Sequence, residues 1–142
     1  MSKVLDLHEQ AMDIAEMAFV ARLRGNQERA KELFLEAFEM ETQAAALLSD
    51  NLNAEPTRSV LHRSAASLAF NCGKFDAAER LIAIGLSGYP PAEIAQELRE
   101  LLEQVNVQQN LSLSQASTEP TVSVGADDER ASITMAGALR FA

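Results

Sequence analysis

The sequence predicts a mainly α protein of about five helices, packed as antiparallel hairpins, with a short C-terminal β meander or tail. Hydrophobic residues make up 47% of the 142 residues but aromatic residues only 5%, which is typical of a helical core rich in Ala and Leu. Apolar side chains recur at intervals of three and four residues as far as about residue 105. Two similar segments, 25–37 and 73–85, each begin with Gly and place small residues where two helices would cross closely.

Turn-forming residues divide this region into its helices. Gly25 and Gly73 can adopt the left-handed conformation that ends a helix, Asn26 is a suitable N-cap, and Pro56 suits the first turn of a helix. The breaker Gly88-Tyr-Pro-Pro91 precedes the last helix. The predicted helices span about 3–24, 27–50, 56–72, 75–87 and 91–105.

Beyond residue 106 the helical spacing gives way to alternation. Apolar pairs, each enclosing a Ser or Thr, recur every eleven residues: Leu111 and Leu113, Val122 and Val124, Ile133 and Met135. One interpretation is a three-stranded antiparallel meander, which would have to cover the helices or a second subunit, since three short strands are not stable alone. The other is a flexible Ser/Thr-rich tail. The predicted domains are a helical domain over 1–107 and a strand-rich or flexible segment over 108–142.

Charge and cysteine content disfavour several classes of protein. The formal net charge is −9 and the pI is about 4.6, whereas proteins that bind phosphate backbones or anionic membranes need clustered Lys and Arg. Cys72 is the only cysteine, so no intramolecular disulfide can form. The first residues contain charges and lack the apolar core of a signal peptide. We therefore expect an acidic, cytoplasmic protein that binds neither nucleic acid nor membranes.

No pattern in the sequence specifies a reaction. His8 lies near acidic residues in the chain, and His62 follows Glu55, but neither histidine belongs to a Glu-x-x-His or His-x-x-x-His pair that could ligate a metal on one helix face. A Gly-rich phosphate loop and a Gly-x-Ser-x-Gly elbow are also missing. We predict a protein that is not an enzyme and has no metal and no cofactor.

The two Gly-initiated segments and the helices around them resemble the tetratricopeptide repeat (TPR) and are also similar to small bacterial TPR-like proteins of unassigned role. The glycines are 48 residues apart, whereas the family repeats about every 34 residues, and Gln27 stands where the family has a turn aromatic. The matching positions are Ala18, Gly25, Ala30, Phe34 and Ala37 in the first copy, and Ala66, Gly73, Phe75, Ala78, Gly85 and Pro90 in the second.

The resemblance implies a binding surface, because the first helix of each TPR hairpin lines the concave face and contacts a peptide. The corresponding residues here are Met12, Glu16, Phe19 and Leu23 from the first helix and Val60, Arg63, Ser67, Phe70 and Asn71 from the third. Arg63 and Asn71 could together hold a partner's carboxylate through charge-assisted hydrogen bonds.

We therefore predict a non-catalytic adaptor that binds a protein or peptide on this concave face. One alternative is a self-assembling module, a homodimer paired through the C-terminal strands. Another is a small antitoxin-like or chaperone-like regulator of a single partner enzyme. The docking of residues 108–142 on the helices, within one chain or from a second subunit, is a further hypothesis.

Overall fold

The computed structural model describes residues 2–117, with side chains over 2–114, and in this range the chain forms five α-helices. They are α1 (Ser2–Leu23), α2 (Gln27–Leu48), α3 (Thr57–Asn71), α4 (Phe75–Leu86) and α5 (Ala92–Ser117). The prediction of a mainly α protein with about five helices is confirmed. The first four helices also begin and end within about two residues of their predicted bounds.

The two hairpin turns have the same backbone geometry. Gly25 has φ +81° and Gly73 has φ +75°, the left-handed conformation expected of a residue that ends a helix. In each turn the amide of the residue after Gly donates to a carbonyl five residues earlier, Asn26 to Ala21 at 2.9 Å and Lys74 to Ala69 at 2.8 Å. The Asn26 side chain then caps α2 by accepting from the amide of Arg29 at 3.3 Å, as the sequence predicts.

Contacts between helices show that the two helices of each hairpin are antiparallel. In the first hairpin, His8 near the start of α1 meets Glu41 in the second half of α2, and Phe19 near the end of α1 meets Phe34 in α2. In the second pair, a Cβ placed on Gly85 of α4 would lie 3.2 Å from the Cβ of His62 in α3. Position 85 is therefore a close helix crossing, as predicted from its small residue.

The central element is α3, which packs against α2, α4 and α5. Consequently most of its side chains are buried, polar ones included. The main core runs from α1 to α5, and a second core cluster joins the α1–α2 hairpin to Leu68 of α3. The residues of this second cluster are mainly alanines, which allow α1 and α2 to approach closely: Ala15, Ala18, Ala30 and Ala37, with Leu33 and Phe34 beside them.

The predicted end of the fifth helix near residue 105 is wrong, because α5 continues to Ser117. The first predicted strand, with Leu111 and Leu113, is therefore helical, and Leu111 is buried. No Gly or Pro lies between Pro91 and Pro120 to stop the helix, and Gln109 holds it to α4 by hydrogen bonds to Asp76 and Glu79. The predicted boundary between 107 and 108 falls inside α5. The other two predicted strands lie outside the described residues.

Candidate partner-binding surface

The predicted binding residues of α1 lie along one face of that helix. Met12, Glu16, Phe19 and Leu23 follow one another at intervals of four, three and four residues, and Leu5 extends the same face by two turns towards the N-terminus. We call these five residues the α1 stripe. Its outer members are accessible, since Leu23 is 79% exposed and Leu5 50% exposed, and Glu16 is exposed as well. Met12 and Phe19 are half-buried. The stripe is thus a largely apolar, accessible surface with one carboxylate.

Within the stripe, the ring of Phe19 is held in place by an aromatic and a cationic side chain. The ring meets that of Phe34 edge to face, with 5.0 Å between the centroids and an interplanar angle of 87°. The Arg22 guanidinium lies 4.4 Å from the Phe34 centroid and 5.6 Å from the Phe19 centroid, which are cation–π distances. Arg22 also donates to Oδ1 of Asn71 at 2.9 Å and so ties α1 to α3.

The predicted residues of α3 are much less accessible than those of α1. Ser67 and Phe70 are buried, and the Phe70 ring packs edge to face on Phe75 with 5.7 Å between the centroids. Val60 is half-buried. Because α2, α4 and α5 surround α3, little of its surface remains for a partner. Sequence reasoning missed this, since helical spacing shows which residues share a face but not how many faces are covered.

Arg63 and Asn71 do not form a shared carboxylate site. Arg63 pairs with Glu97 of α5, while Asn71 accepts from Arg22 and donates to the carbonyl of Ser67 at 2.9 Å. The two residues are eight positions apart on α3, about 12 Å along its axis. Each side chain thus has its own intramolecular partner. The Arg63–Glu97 pair is half-exposed, so it is open to exchange with another carboxylate.

A buried carboxylate joins the first three helices beneath this surface. Glu41 of α2 is fully buried, and its Oε2 lies 2.8 Å from Nδ1 of His8 in α1. Burial raises the pKa of Glu41 to about 7, although His8 and a hydrogen bond from Ser64 of α3 lower it in part. In the sequence, His8 has candidate partners only among its near neighbours, so this contact with a residue 33 positions away was not predicted. The available signal was the position of Glu41 among apolar residues of α2 at helical spacing.

A second polar cluster lies where α2 and α4 end. The buried Arg58 of α3 donates to the carbonyl of Ser49 at 2.8 Å and to that of Ile84 at 2.7 Å. The half-buried Glu55 carboxylate lies 3.6 Å from the same guanidinium. The bond to Ser49 satisfies a carbonyl at the end of α2, and the bond to Ile84 adds to those that this carbonyl accepts from Ser87. The cluster therefore holds two helix ends together.

His62 belongs to this second cluster, and its imidazole is not accessible to a substrate. Its Nδ1 donates to the carbonyl of Arg58 at 2.7 Å, so Nε2 accepts from the Ser49 hydroxyl at 2.9 Å. Burial lowers the pKa of His62, which favours the neutral ring. A Ser–His contact can in principle activate a nucleophile, but this imidazole is fully buried and a substrate could not reach it.

Neither a metal site nor a membrane span is found among the described residues. Within 2–114 there is no group of three or more His, Cys, Asp or Glu side chains that could hold a metal ion. None of the five described helices is both long and apolar enough to cross a membrane.

Over residues 2–117, fold and surface together define the class: a mainly α protein in which two helical hairpins and a fifth helix leave an accessible apolar face on the first helix. Comparison of the chain with protein-family models, with curated proteins and with solved structures gives no match. The function of this chain must therefore be inferred from its own surface.

Proposed function

We propose that this protein is a non-catalytic, TPR-like adaptor that binds a protein or peptide through the α1 stripe. The observation that supports the proposal is the exposure of Leu23 and Leu5 on the face that also carries Met12 and Phe19. Apolar residues aligned along five turns of one helix form a surface on which an extended or helical segment can bury its own apolar side chains. Half-buried Phe19, held by Phe34 and Arg22, would be the rigid anchor.

The TPR-like part of the proposal is supported by the two hairpins. Their turns share one backbone geometry at Gly25 and Gly73, and small residues lie at the helix crossings, as at Ala78 and Gly85. In such an arrangement α1 and α3 would line the binding face. The burial of Ser67 and Phe70 shifts the proposed contacts towards α1, and leaves the half-buried Val60, Arg63 and Asn71 as the predicted residues of α3 that a partner could contact.

Charge would orient the partner on this face. A partner's basic group would pair with Glu16, and a partner's carboxylate would replace Glu97 at Arg63, since that pair is only half-buried. The regulator of a single enzyme stays a prediction, as does the cytoplasmic location. The dimer paired through C-terminal strands also stays a prediction, although residues 108–117 are helical.

Selection from a displayed peptide library against the full-length protein tests this proposal directly. A variant with Leu5→Glu and Leu23→Glu serves as the comparison, since both side chains are exposed and their replacement should leave the fold intact. Leu35→Glu, at a similarly exposed position of α2, is the matched control. We expect peptides that bind the native protein and the control but bind the double variant at least about tenfold more weakly.

Methyl NMR of the methionines locates the bound peptide. Met12 lies on the α1 stripe, whereas Met17 lies on another face of α1 and Met40 lies on α2. A selected peptide should shift the Met12 methyl resonance more than the other two. Peptides that bind all the variants equally, or that leave Met12 unchanged, would refute binding at the stripe.

A further inference from the structure

A second exposed apolar surface of α1 is centred on Val20. Met17 and Leu23 lie three residues before and three residues after it, and the exposed fractions of Met17, Val20 and Leu23 are 50%, 41% and 79%. We call these three residues, together with Glu16 and Arg24, the Val20 face. On a helix this spacing puts one apolar side chain on each side of Val20.

The Val20 face also carries two charges of opposite sign, which lie at equal distances before and after Val20. Glu16 lies four residues before Val20 and Arg24 four residues after it, so each is about 6 Å from Val20 along the helix axis. Both side chains are exposed. The acidic residues of α1 all precede Val20, whereas Arg22 near its end and Arg24 in the following turn come after it. A surface of this kind is complementary to itself after a half-turn rotation.

We propose that the Val20 face binds a second copy of this chain, so that two α1 helices pack antiparallel across a two-fold axis at Val20. In such an isologous contact every interaction occurs twice. Glu16 of each copy meets Arg24 of the other, and Met17 of each copy meets Leu23 of the other. Val20 packs against its own equivalent on the axis, and the charge pairs fix the register of the two helices.

A groove beside this face provides room for the second copy. It has a volume of about 840 Å³ and lies between α1 and the start of α2. Asp13, Met17 and Val20 of α1, Arg24 of the turn, and Arg29 and Leu33 of α2 line it. Within the described residues, α2 is the main helix packed on α1, and no other helix fills this groove. Apolar side chains of a second α1 could enter it between the acidic and basic ends.

This inference is independent of the proposed adaptor function. The Val20 face and the α1 stripe share Glu16 and Leu23. Val20, Met17 and Arg24 belong only to the Val20 face. Phe19 and Met12 belong only to the α1 stripe. Dimerisation would therefore shift the Met17 methyl resonance with protein concentration in the absence of any peptide. A peptide bound to the stripe would shift that of Met12.

Exchange of the paired charges tests the proposal. Sedimentation equilibrium of the full-length protein, from low micromolar to submillimolar concentration, measures the dissociation constant of native protein and variants. Glu16→Arg makes both charged positions of the face basic, and Arg24→Glu makes both acidic. Each single variant should dimerise at least about tenfold more weakly, because like charges then meet at both pairs. The double variant E16R/R24E should dimerise like the native protein.

An equimolar mixture of the two single variants gives the sharpest result, since only the heterodimer has opposite charges at both pairs. We expect this mixture to dimerise about as well as the native protein. Glu103→Arg, an equal change of charge at an exposed position of α5, is the control, and circular dichroism checks that each variant is folded. A native protein that stays monomeric, single variants that dimerise normally, or a mixture or double variant that stays monomeric would each overturn the proposal.

Discussion

The buried Glu41 carboxyl makes the stability of this protein depend on pH in a direction opposite to that of an ordinary surface carboxylate. Its pKa is about 7 in the folded protein, raised mainly by burial, against 4.5 as its ordinary value. The folded state therefore binds this proton more tightly than the unfolded chain does. The resulting stability is fully present below about pH 4.5 and is lost as the pH rises through about 7.

The size of the effect follows from that pKa difference. At about 1.4 kcal/mol for each pH unit, raising the pKa from 4.5 to about 7 removes about 3 kcal/mol of stability between acidic and mildly alkaline pH. Glu41→Gln keeps a hydrogen-bonding group beside His8 and Ser64 but cannot ionise. The variant should therefore match the native protein near pH 4.5 and exceed its stability by about 3 kcal/mol near pH 8.

Urea unfolding followed by circular dichroism at a series of pH values measures this difference. The chain has no Trp and a single Tyr, so the helix signal is a better probe than fluorescence. Glu36→Gln is the control, because it deletes a carboxylate at an exposed position of the same helix. A stability difference between the Glu41→Gln variant and the native protein that stays constant over this pH range would refute the reasoning.

Three further perturbations have definite expected results. Gly85→Ala should destabilise by about 1 kcal/mol in thermal or urea unfolding, because its Cβ would lie 3.1 Å from Leu98 and overpacking outweighs the better helix propensity of Ala. Arg58→Met should destabilise by about 3 to 5 kcal/mol, since the buried charge pair with Glu55 and the bonds from the guanidinium to the carbonyls of Ser49 and Ile84 are lost; a loss below 1 kcal/mol by urea titration would contradict this. Burial raises the pKa of Cys72 to about 11, so a thiol reagent should modify it far more slowly in the native protein than in urea, and equal rates would disprove its protection.

The sequence was informative about local structure because the decisive residues act locally. Gly25 and Gly73 end helices through their own backbone conformation, and Asn26 caps α2 with its own side chain, so none of them depends on distant packing. The end of α5 was missed for a related reason. A short alternation such as Leu111-Ser-Leu113 has too few residues to distinguish a strand from the last turns of a helix.

The accessibility of the predicted site could not be deduced in the same way. Ser67 and Phe70 share a helix face with other candidate residues, but their burial depends on α3 being surrounded by several helices. The sequence of α3 held a partial signal, since small serines and alanines occur around its whole circumference. The contact between His8 and Glu41 joins positions 33 residues apart and depends on the register of the first hairpin.

The guanidinium of Arg58 has a consequence for the dynamics of the molecule. It bonds to the end of α2 at Ser49 and to the last turn of α4 at Ile84, so one side chain serves two connections that are distant in sequence. When the loop after α2 opens, Arg58 loses its bond to Ser49, and its bond to the Ile84 carbonyl of α4 is weakened with it. The loops at 49–56 and 87–91 should therefore exchange their amide hydrogens as one cooperative unit, although one joins α2 to α3 and the other joins α4 to α5.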